Sequence, residues 1–330
     1  MSVKHKDTDY LFLSARIRSL ERTLLTRQQL ERMLESGSVQ EAARVLTDLG
    51  WEDFDAASPS ALNRALLHRR EQVFRELGQF MPDPAVLDVF KLKYDYHNVK
   101  TVIKSHGQGA ELLVDAGRMD PKELLRKYQE RGKWDFLPGT MDAAAQDAER
   151  ILAETGDPQL ADFRLDRAYF EELLSLAEST KCAYLVEYVR AMIDAANLRS
   201  LVRTLRMHKD AAFLRRVLFE GGTVSVSELM RRGPGGNVAE LFRSTVLRDA
   251  AAAGEQAVGG GSLTEFEKLC DDAVLLTAGK ARRVPFGVEV AIGYVAAREA
   301  ELTAVRIVMS GLMAGISAGT IRERLRESYV

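Results

Sequence analysis

Cysteine and histidine are scarce in this chain. Its 330 residues include only two cysteines, Cys182 and Cys270, and five histidines. Two thiols are too few for a disulfide framework, so reduced cysteines in a cytoplasmic protein are the simpler interpretation. No histidine has a second histidine four residues away or a neighbouring cysteine, the arrangements that favour zinc binding. The sequence therefore predicts no metal site.

A surplus of one charge and a long apolar run are also missing. Lysine and arginine total 46 against 48 acidic residues, which leaves a net charge of −2. Proteins that bind nucleic acid usually carry a basic surplus, so no nucleic-acid partner is expected. The longest uncharged segment, 307–321, is shorter than the roughly 20 residues that a membrane-spanning helix needs. Without an apolar leader either, the chain is expected in the cytoplasm, associated with a membrane only through partners.

Motifs that would supply enzyme chemistry are incomplete or absent. The glycine-rich stretch 233–236 lacks the lysine and hydroxyl residue of a phosphate-binding loop, and no nucleophile elbow occurs. Asp271 and Asp272 form half of an acidic magnesium motif, but no third acid follows at position 275 or 276. We interpret them as two exposed helix carboxylates. The sequence predicts no catalytic residue and no cofactor.

What the chain does have, almost everywhere, is helical periodicity. Apolar residues recur three or four positions apart, for example along 87–102 and 198–205. No run of β-branched residues with a period of two is long enough for a strand. Breaks that contain glycine or proline fall at 220–223, 233–236 and 259–261. The fold class is therefore predicted to be all-α.

Signals for the start of a helix recur at a regular interval. Each signal is a residue whose side-chain oxygen can cap the first turn of a helix, followed within three positions by Glu or Gln and then by apolar residues. The four capping residues are Thr26, Asp120, Ser225 and Thr320. They are spaced by roughly 100 residues, which is too long for one unit of a solenoid. We interpret the spacing as duplication of a multi-helix lobe.

A second repeated marker agrees with that interpretation. Asp95 and Asn98 share a helix face, and Asp194 and Asn197 repeat the pair one period later. Because a catalytic site is normally unique, repetition favours a role in the fold, such as fastening two helices in each lobe. A fainter third copy contains Glu299, Glu301 and Arg306. The predicted lobes are residues 1–119, 120–224 and 225–330, either closed around a pseudo-threefold axis or arranged in a row.

A basic stripe is the best signal for binding. Lys100 and Lys104 lie on one side of their helix, and the aligned Arg199 and Arg203 continue to Arg206. A solvated helix face would explain the stripe without any partner. The functional interpretation is contact with an acidic or carboxylate-bearing partner surface. The third copy lacks the stripe, so that lobe would meet something different.

Several segments resemble, in order, those of the C subunit of the V/A-type rotary ATPases, called the d subunit in eukaryotes. The stretch 93–100, Lys-Tyr-Asp-Tyr-His-Asn-Val-Lys, is similar to the best-known internal motif of that family. The resemblance covers nearly the whole chain except 137–162 and the loop 259–261. The similar segments are 10–18, 93–100, 285–306 and 321–330.

The resemblance implies a non-catalytic subunit of the central rotor. Its three helical lobes would form a funnel around a central cavity that receives the foot of the central stalk, made of subunits D and F. One end would rest on the membrane proteolipid (c/K) ring, and the protein would transmit torque for proton or sodium transport. Two alternatives are a generic cytoplasmic helical adaptor and an all-α enzyme that uses Asp271 and Asp272 with magnesium.

Overall fold

In the computed structural model, which describes residues 5–329, the chain forms helices joined by turns and loops, and no strand occurs in that range. The prediction of an all-α protein is confirmed. None of the helices of residues 5–329 is long and apolar enough to cross a membrane. Residues 1–4 and Val330, assigned above to the first and third lobes, lie outside the described residues.

The α-helices are α1 (Leu11–Leu20), α2 (Arg27–Leu34), α3 (Val39–Asp48), α4 (Pro59–Gly78), α5 (Pro84–Lys104), α6 (Pro121–Arg131), α7 (Gly139–Thr155), α8 (Pro158–Ser179), α9 (Ala183–Arg206), α10 (Ala211–Val217), α11 (Val226–Arg232), α12 (Val238–Phe242), α13 (Arg248–Val258), α14 (Leu263–Gly279), α15 (Val288–Met313) and α16 (Ala318–Arg324). Short 3-10 helices lie at Asp7–Tyr10, Glu21–Thr23, Ala110–Leu112, Gly233–Gly235 and Lys280–Arg283.

Three of the four predicted helix caps are confirmed. The side chains of Thr26, Asp120 and Ser225 each accept a hydrogen bond from a backbone N–H in the first turn of α2, α6 and α11. The fourth prediction is wrong, because the hydroxyl of Ser317 accepts the N–H of Thr320 at 3.3 Å. Ser317 comes first after the turn that ends α15, so its oxygen takes the cap position and Thr320 falls inside the helix.

The three long helices α5, α9 and α15 end in the same backbone motif. Each is followed by a residue in the left-handed conformation, His106 (φ 51°), His208 (φ 52°) or Gly315 (φ 67°). The next N–H then bonds back to a carbonyl of the last turn, at 2.9 Å after α5, 3.0 Å after α9 and 2.9 Å after α15. This Schellman motif satisfies free carbonyls at a helix end. Its threefold recurrence adds a structural marker to the predicted repeat.

Contacts between the long helices and their neighbours follow a cyclic order. Helix α5 packs on α8, α9 packs on α14, and α15 packs on α4. Each long helix thus contacts a helix of the next copy, and the last contacts a helix of the first. This order is expected if three lobes close around one axis.

The buried apolar residues form three clusters that the long helices connect. One extended cluster takes in α1, α5, α7, α8 and the first halves of α9 and α15. The second half of α15 enters a cluster with α2, α3 and α4. The second half of α9 enters a third cluster with the helices from α10 to α14. Helices α9 and α15 therefore each begin in the shared core and end in a more local one.

Candidate functional site

The N-terminal ends of the three long helices meet the first helical segment of the chain. Tyr10 is buried and lies near Asp83, which caps α5, and Cys182, which caps α9. Burial, reinforced by the Asp83 carboxylate, raises the pKa of the Tyr10 phenol. The hydroxyl of Ser14 accepts the N–H of Gly287 at 3.2 Å, where α15 begins. The start of the chain therefore covers this end of the long helices.

A cavity of about 440 Å³ lies between the long helices. Its walls come from α5, α8, α9, α14 and α15, so all three predicted lobes contribute. By contrast, a cleft of about 380 Å³ beside Trp51 and Arg69 belongs to the first lobe alone. The charged residues that line the central cavity are Lys93, Arg199, Asp271, Glu299 and Arg326.

Glu299 is the most strongly held carboxylate of the cavity wall. It accepts hydrogen bonds from Arg70 at 3.1 Å, from Lys93 at 2.8 Å and from the hydroxyl of Tyr94 at 2.9 Å. Burial alone would raise the pKa of Glu299, but Lys93 and Arg70 outweigh it and lower the pKa to about 2. The carboxylate therefore stays charged and joins α15 to both α4 and α5.

A second carboxylate on the wall also lies between two cations. Asp271 on α14 accepts hydrogen bonds from Arg199 and, at 2.8 Å, from Arg326 of the C-terminal segment. Arg199 also pairs with Glu267 at 2.7 Å, and Arg203 pairs with the same carboxylate at 2.7 Å. The interpretation of Asp271 as an exposed carboxylate is wrong, because its packing against α9 and the C-terminal segment leaves it partly buried. The same interpretation is wrong for Asp272, which is half-buried and accepts the N–H of Glu327 at 2.7 Å.

The structure gives every residue of the predicted basic stripe an internal partner. Lys100 pairs with Asp166 at 2.5 Å, and Lys104 pairs with Asp162 at 2.6 Å, both on α8. Arg206 donates to two backbone carbonyls of the 257–261 region. Arg199, described above, is the stripe residue that lines the cavity. Contact of the stripe with another protein stays a prediction.

Asn98 and Asn197 make the same pair of hydrogen bonds in two of the predicted lobes. The Asn98 carboxamide donates to the carbonyl of Val114 and accepts its N–H, both at 2.8 Å. The Asn197 carboxamide does the same with Phe219, again at 2.8 Å for both bonds. Each Asn is buried, so both halves of its amide are satisfied as buried polar groups require. The pairs fasten a long helix to the segment that follows it, not to a second helix as proposed from the sequence.

The partner aspartates hold the last residues before the next helix cap. Asp95 accepts the N–H of Arg118 and of Met119, and Asp194 accepts the N–H of Val224. Burial raises the pKa of both carboxyls, although these hydrogen bonds oppose the rise. Room for each carboxylate depends on a glycine that faces it.

Gly117 and Gly222 are those glycines. A Cβ atom at Gly117 would lie 2.2 Å from Oδ1 of Asp95, and one at Gly222 would lie 2.3 Å from Oδ1 of Asp194. Sequence reasoning missed both glycines, although their matched positions in the repeat were a usable signal. Each aspartate and its glycine form one complementary pair.

In the third copy, the corresponding residues connect the end of the chain to its start. Glu301 accepts the N–H of Leu25 at 3.0 Å, and Arg298 donates to the carbonyl of Thr23 at 3.2 Å. Leu25 directly precedes the Thr26 cap, as Met119 and Val224 precede theirs. Arg306, the last predicted marker, donates to Asn63 on α4 at 2.6 Å. The third long helix thus holds the segment before the first capped helix.

The fold defines a class of protein: an all-helical protein in which five helices line one cavity. Comparison with known families is more specific. Residues 13–324 match the model of the ATP synthase (C/AC39) subunit family, and the chain belongs to that family. The resemblance identified from the sequence is confirmed.

Individual relatives match over nearly their full length. The C subunit of the V-type sodium ATPase of Enterococcus hirae is 22% identical, over 97% of this chain and 99% of that protein. The C subunit of the A-type ATP synthase of Methanocaldococcus jannaschii is 26% identical, over 96% and 86% respectively. Its counterpart in Pyrococcus horikoshii is also 26% identical, over 92% and 86%. These relatives support the role of a rotary ATPase subunit.

Proposed function

We propose that this chain is the non-catalytic central-rotor subunit that seats the D and F stalk on the proteolipid ring and transmits torque for proton or sodium transport. The observation that carries the proposal is the central cavity, to which all three lobes contribute. Three lobes closed into a funnel around a pseudo-threefold axis would surround an inserted stalk on all sides. Family membership supplies the rotary complex as the setting.

Torque transmission requires a body that resists shear between its lobes. Charged contacts cross each of the three boundaries: Lys100 to Asp166, Arg199 to Glu267, and Arg70 to Glu299. All three pairs are partly buried, unlike exposed ion pairs, which contribute only about 0–1 kcal/mol each. Their directional geometry opposes sliding of one helix along another, which is what a rotor body needs.

The end covered by the first helix is the surface that we assign to the ring. Leu11 (48% exposed), Phe12 (63%), Phe80 (37%) and Phe286 (37%) are large apolar side chains near the N-terminal ends of the long helices. The rings of Phe12 and Phe80 are 5.0 Å apart, so they form one patch. Exposed apolar patches mark interaction sites. The cavity then remains available to the stalk.

Separate binding assays test the two contacts. We expect the purified chain to bind both the D and F pair and the proteolipid ring in detergent. Phe12→Asp with Phe80→Asp should abolish ring binding but leave stalk affinity within about twofold, because a charge opposes burial of that patch alone. Leu112→Asp is the matched control, since Leu112 is 60% exposed but follows the opposite end of α5.

If the unaltered chain bound neither the D and F pair nor the ring, the proposed function would be contradicted. That result would favour a generic helical adaptor, whose partner would be another protein. Loss of both contacts in the Phe12 and Phe80 variant would contradict the assignment of the patch to the ring alone. Circular dichroism of each variant checks that the helical fold is retained.

A further inference from the structure

The central cavity has more positive than negative charge on its walls. Three cations and two carboxylates line it directly. Their ion-pair partners add Arg70 beside Glu299, together with Arg203 and Glu267 beside Arg199. The connected groups thus number five cations and three carboxylates, which leaves two positive charges without a negative counterpart inside the network.

Both lining carboxylates are already shared between cations. Glu299 lies between Arg70 and Lys93, and Asp271 lies between Arg199 and Arg326. Neither can balance a further cation without losing a bond that it already makes. A carboxylate brought into the cavity would complete this network, whereas an ammonium or guanidinium group would add to the surplus.

Apart from Thr303, the rest of the cavity wall is apolar and aromatic. Tyr169 and Phe170 of α8, Tyr188 and Met192 of α9, and Leu275 of α14 contribute to it. Tyr169 and Phe170 lie edge to face, with ring centroids 4.9 Å apart. Aromatic side chains of this kind supply large contact areas for an inserted apolar surface.

We propose that the cavity binds a protein segment with an apolar surface that presents one or two carboxylates to Lys93 and its neighbouring cations. This inference rests on the proposed function, since it takes the foot of the stalk as the occupant. It adds the chemistry of recognition: the stalk segment inserts an acidic tip, and the surplus cations of the wall neutralise it.

Two opposite changes to one ion pair test the inference. Lys93→Gln removes a surplus cation, and Glu299→Gln removes its carboxylate partner. The dissociation constant of the D and F pair is measured by biolayer interferometry at low and high ionic strength. We expect Lys93→Gln to weaken binding by at least about tenfold, the lower end of the effects measured for close interfacial charge pairs. Glu299→Gln should bind at least as tightly as the unaltered chain.

The directions of the two changes in affinity show whether the ion pair recognises the stalk or only maintains the fold. If the pair merely maintained the shape of the cavity, both variants would weaken binding by a similar factor, and the inference would be overturned. Affinity should also fall with salt less steeply for Lys93→Gln than for the unaltered chain. An equal salt dependence would contradict the inference as well.

Surface substitutions of the same type serve as controls. Lys133→Gln and Glu154→Gln change residues that are 64% and 62% exposed and do not line the cavity. Neither should alter stalk affinity. If the unaltered chain itself fails to bind the stalk, the proposed function fails. If it binds and Lys93→Gln binds equally well, the proposed function stands and the inference fails.

Discussion

At the scale of single residues, buried polar side chains determine how the long helices are joined to the segments around them. Asn98 and Asn197 each satisfy both backbone groups of one residue in the following segment. Leaving such buried groups without partners costs about 1–3 kcal/mol each. Glu299 works over a longer distance in sequence, because it joins α15 to α4 and α5. Its charge state should therefore affect stability.

Replacement of Glu299 by Gln should change how stability depends on pH. Its pKa is lowered from 4.5 to about 2 in the folded chain by Lys93 and Arg70, against the effect of burial. A lowered pKa contributes stability that is complete above pH 4.5 and is lost as pH falls towards 2. The advantage of the unaltered chain over Glu299→Gln should shrink across that window by up to about 3 kcal/mol.

Urea denaturation at a series of acidic pH values measures this difference. Other carboxyl groups titrate in both proteins, so their contributions cancel in the comparison. The same series on Glu154→Gln, a change at an exposed residue, should show little pH-dependent difference. A difference between Glu299→Gln and the unaltered chain that stays constant with pH would show that the carboxylate is not held as described.

At the scale of helices, different residue types occupy the same left-handed position after the C-terminal ends of the three long helices. His106, His208 and Gly315 occupy equivalent left-handed positions after α5, α9 and α15. Glycine adopts that conformation without the steric penalty of a Cβ atom, so histidine there is less favourable. The first two copies therefore carry a small strain that the third avoids.

Substitution of His208 by Gly should stabilise the chain. We expect a gain of about 0.5–1 kcal/mol in the free energy of unfolding, measured by urea denaturation, from relief of the left-handed conformation. His97→Gly makes the same chemical change inside α5 and should have the opposite sign, a loss of roughly 0.3–0.5 kcal/mol from helix propensity. Destabilisation by His208→Gly would indicate that the histidine side chain contributes more than its backbone strain costs.

At the scale of the whole molecule, the two ends of the chain hold the body together. The start of the chain covers the N-terminal ends of the long helices, and Arg298 and Glu301 bind the segment before Thr26. The C-terminal segment inserts Leu325 into the cluster formed by α2, α3, α4 and the second half of α15, and Tyr329 into the extended cluster. The lobes are therefore expected to unfold together.

Termination of the chain after Arg324 should lower its stability in one cooperative transition. The deletion removes Leu325 and Tyr329, which are 0% and 6% exposed, and takes Arg326 away from Asp271. Loss of two buried side chains of this size costs about 4 kcal/mol or more. Calorimetry should show a lower midpoint with a single peak, and Tyr329→Ala should lie between the deletion and the unaltered chain. An unchanged midpoint would contradict the docking of this segment.

The sequence by itself determined the local features of this protein. Periodicity identified the helices, and side-chain oxygens at Thr26, Asp120 and Ser225 marked helix starts, because these signals act within one or two turns. The repeat followed from their spacing. The predicted cap at Thr320 was wrong because the hydroxyls of Ser317 and Thr320 lie three positions apart. The local pattern alone did not show which of them caps the helix.

Only the tertiary structure decided which residues meet across the copies. Arg70 and Glu299 are 229 positions apart, and Arg199 and Asp271 are 72 apart. Helical periodicity says which face of a helix is buried, but not which helix covers it. The partners of the basic stripe and the charge of the cavity depend on which helices pack against each other. They follow from the packing of α5 on α8, α9 on α14 and α15 on α4, since ion pairs form only between faces that packing brings within reach.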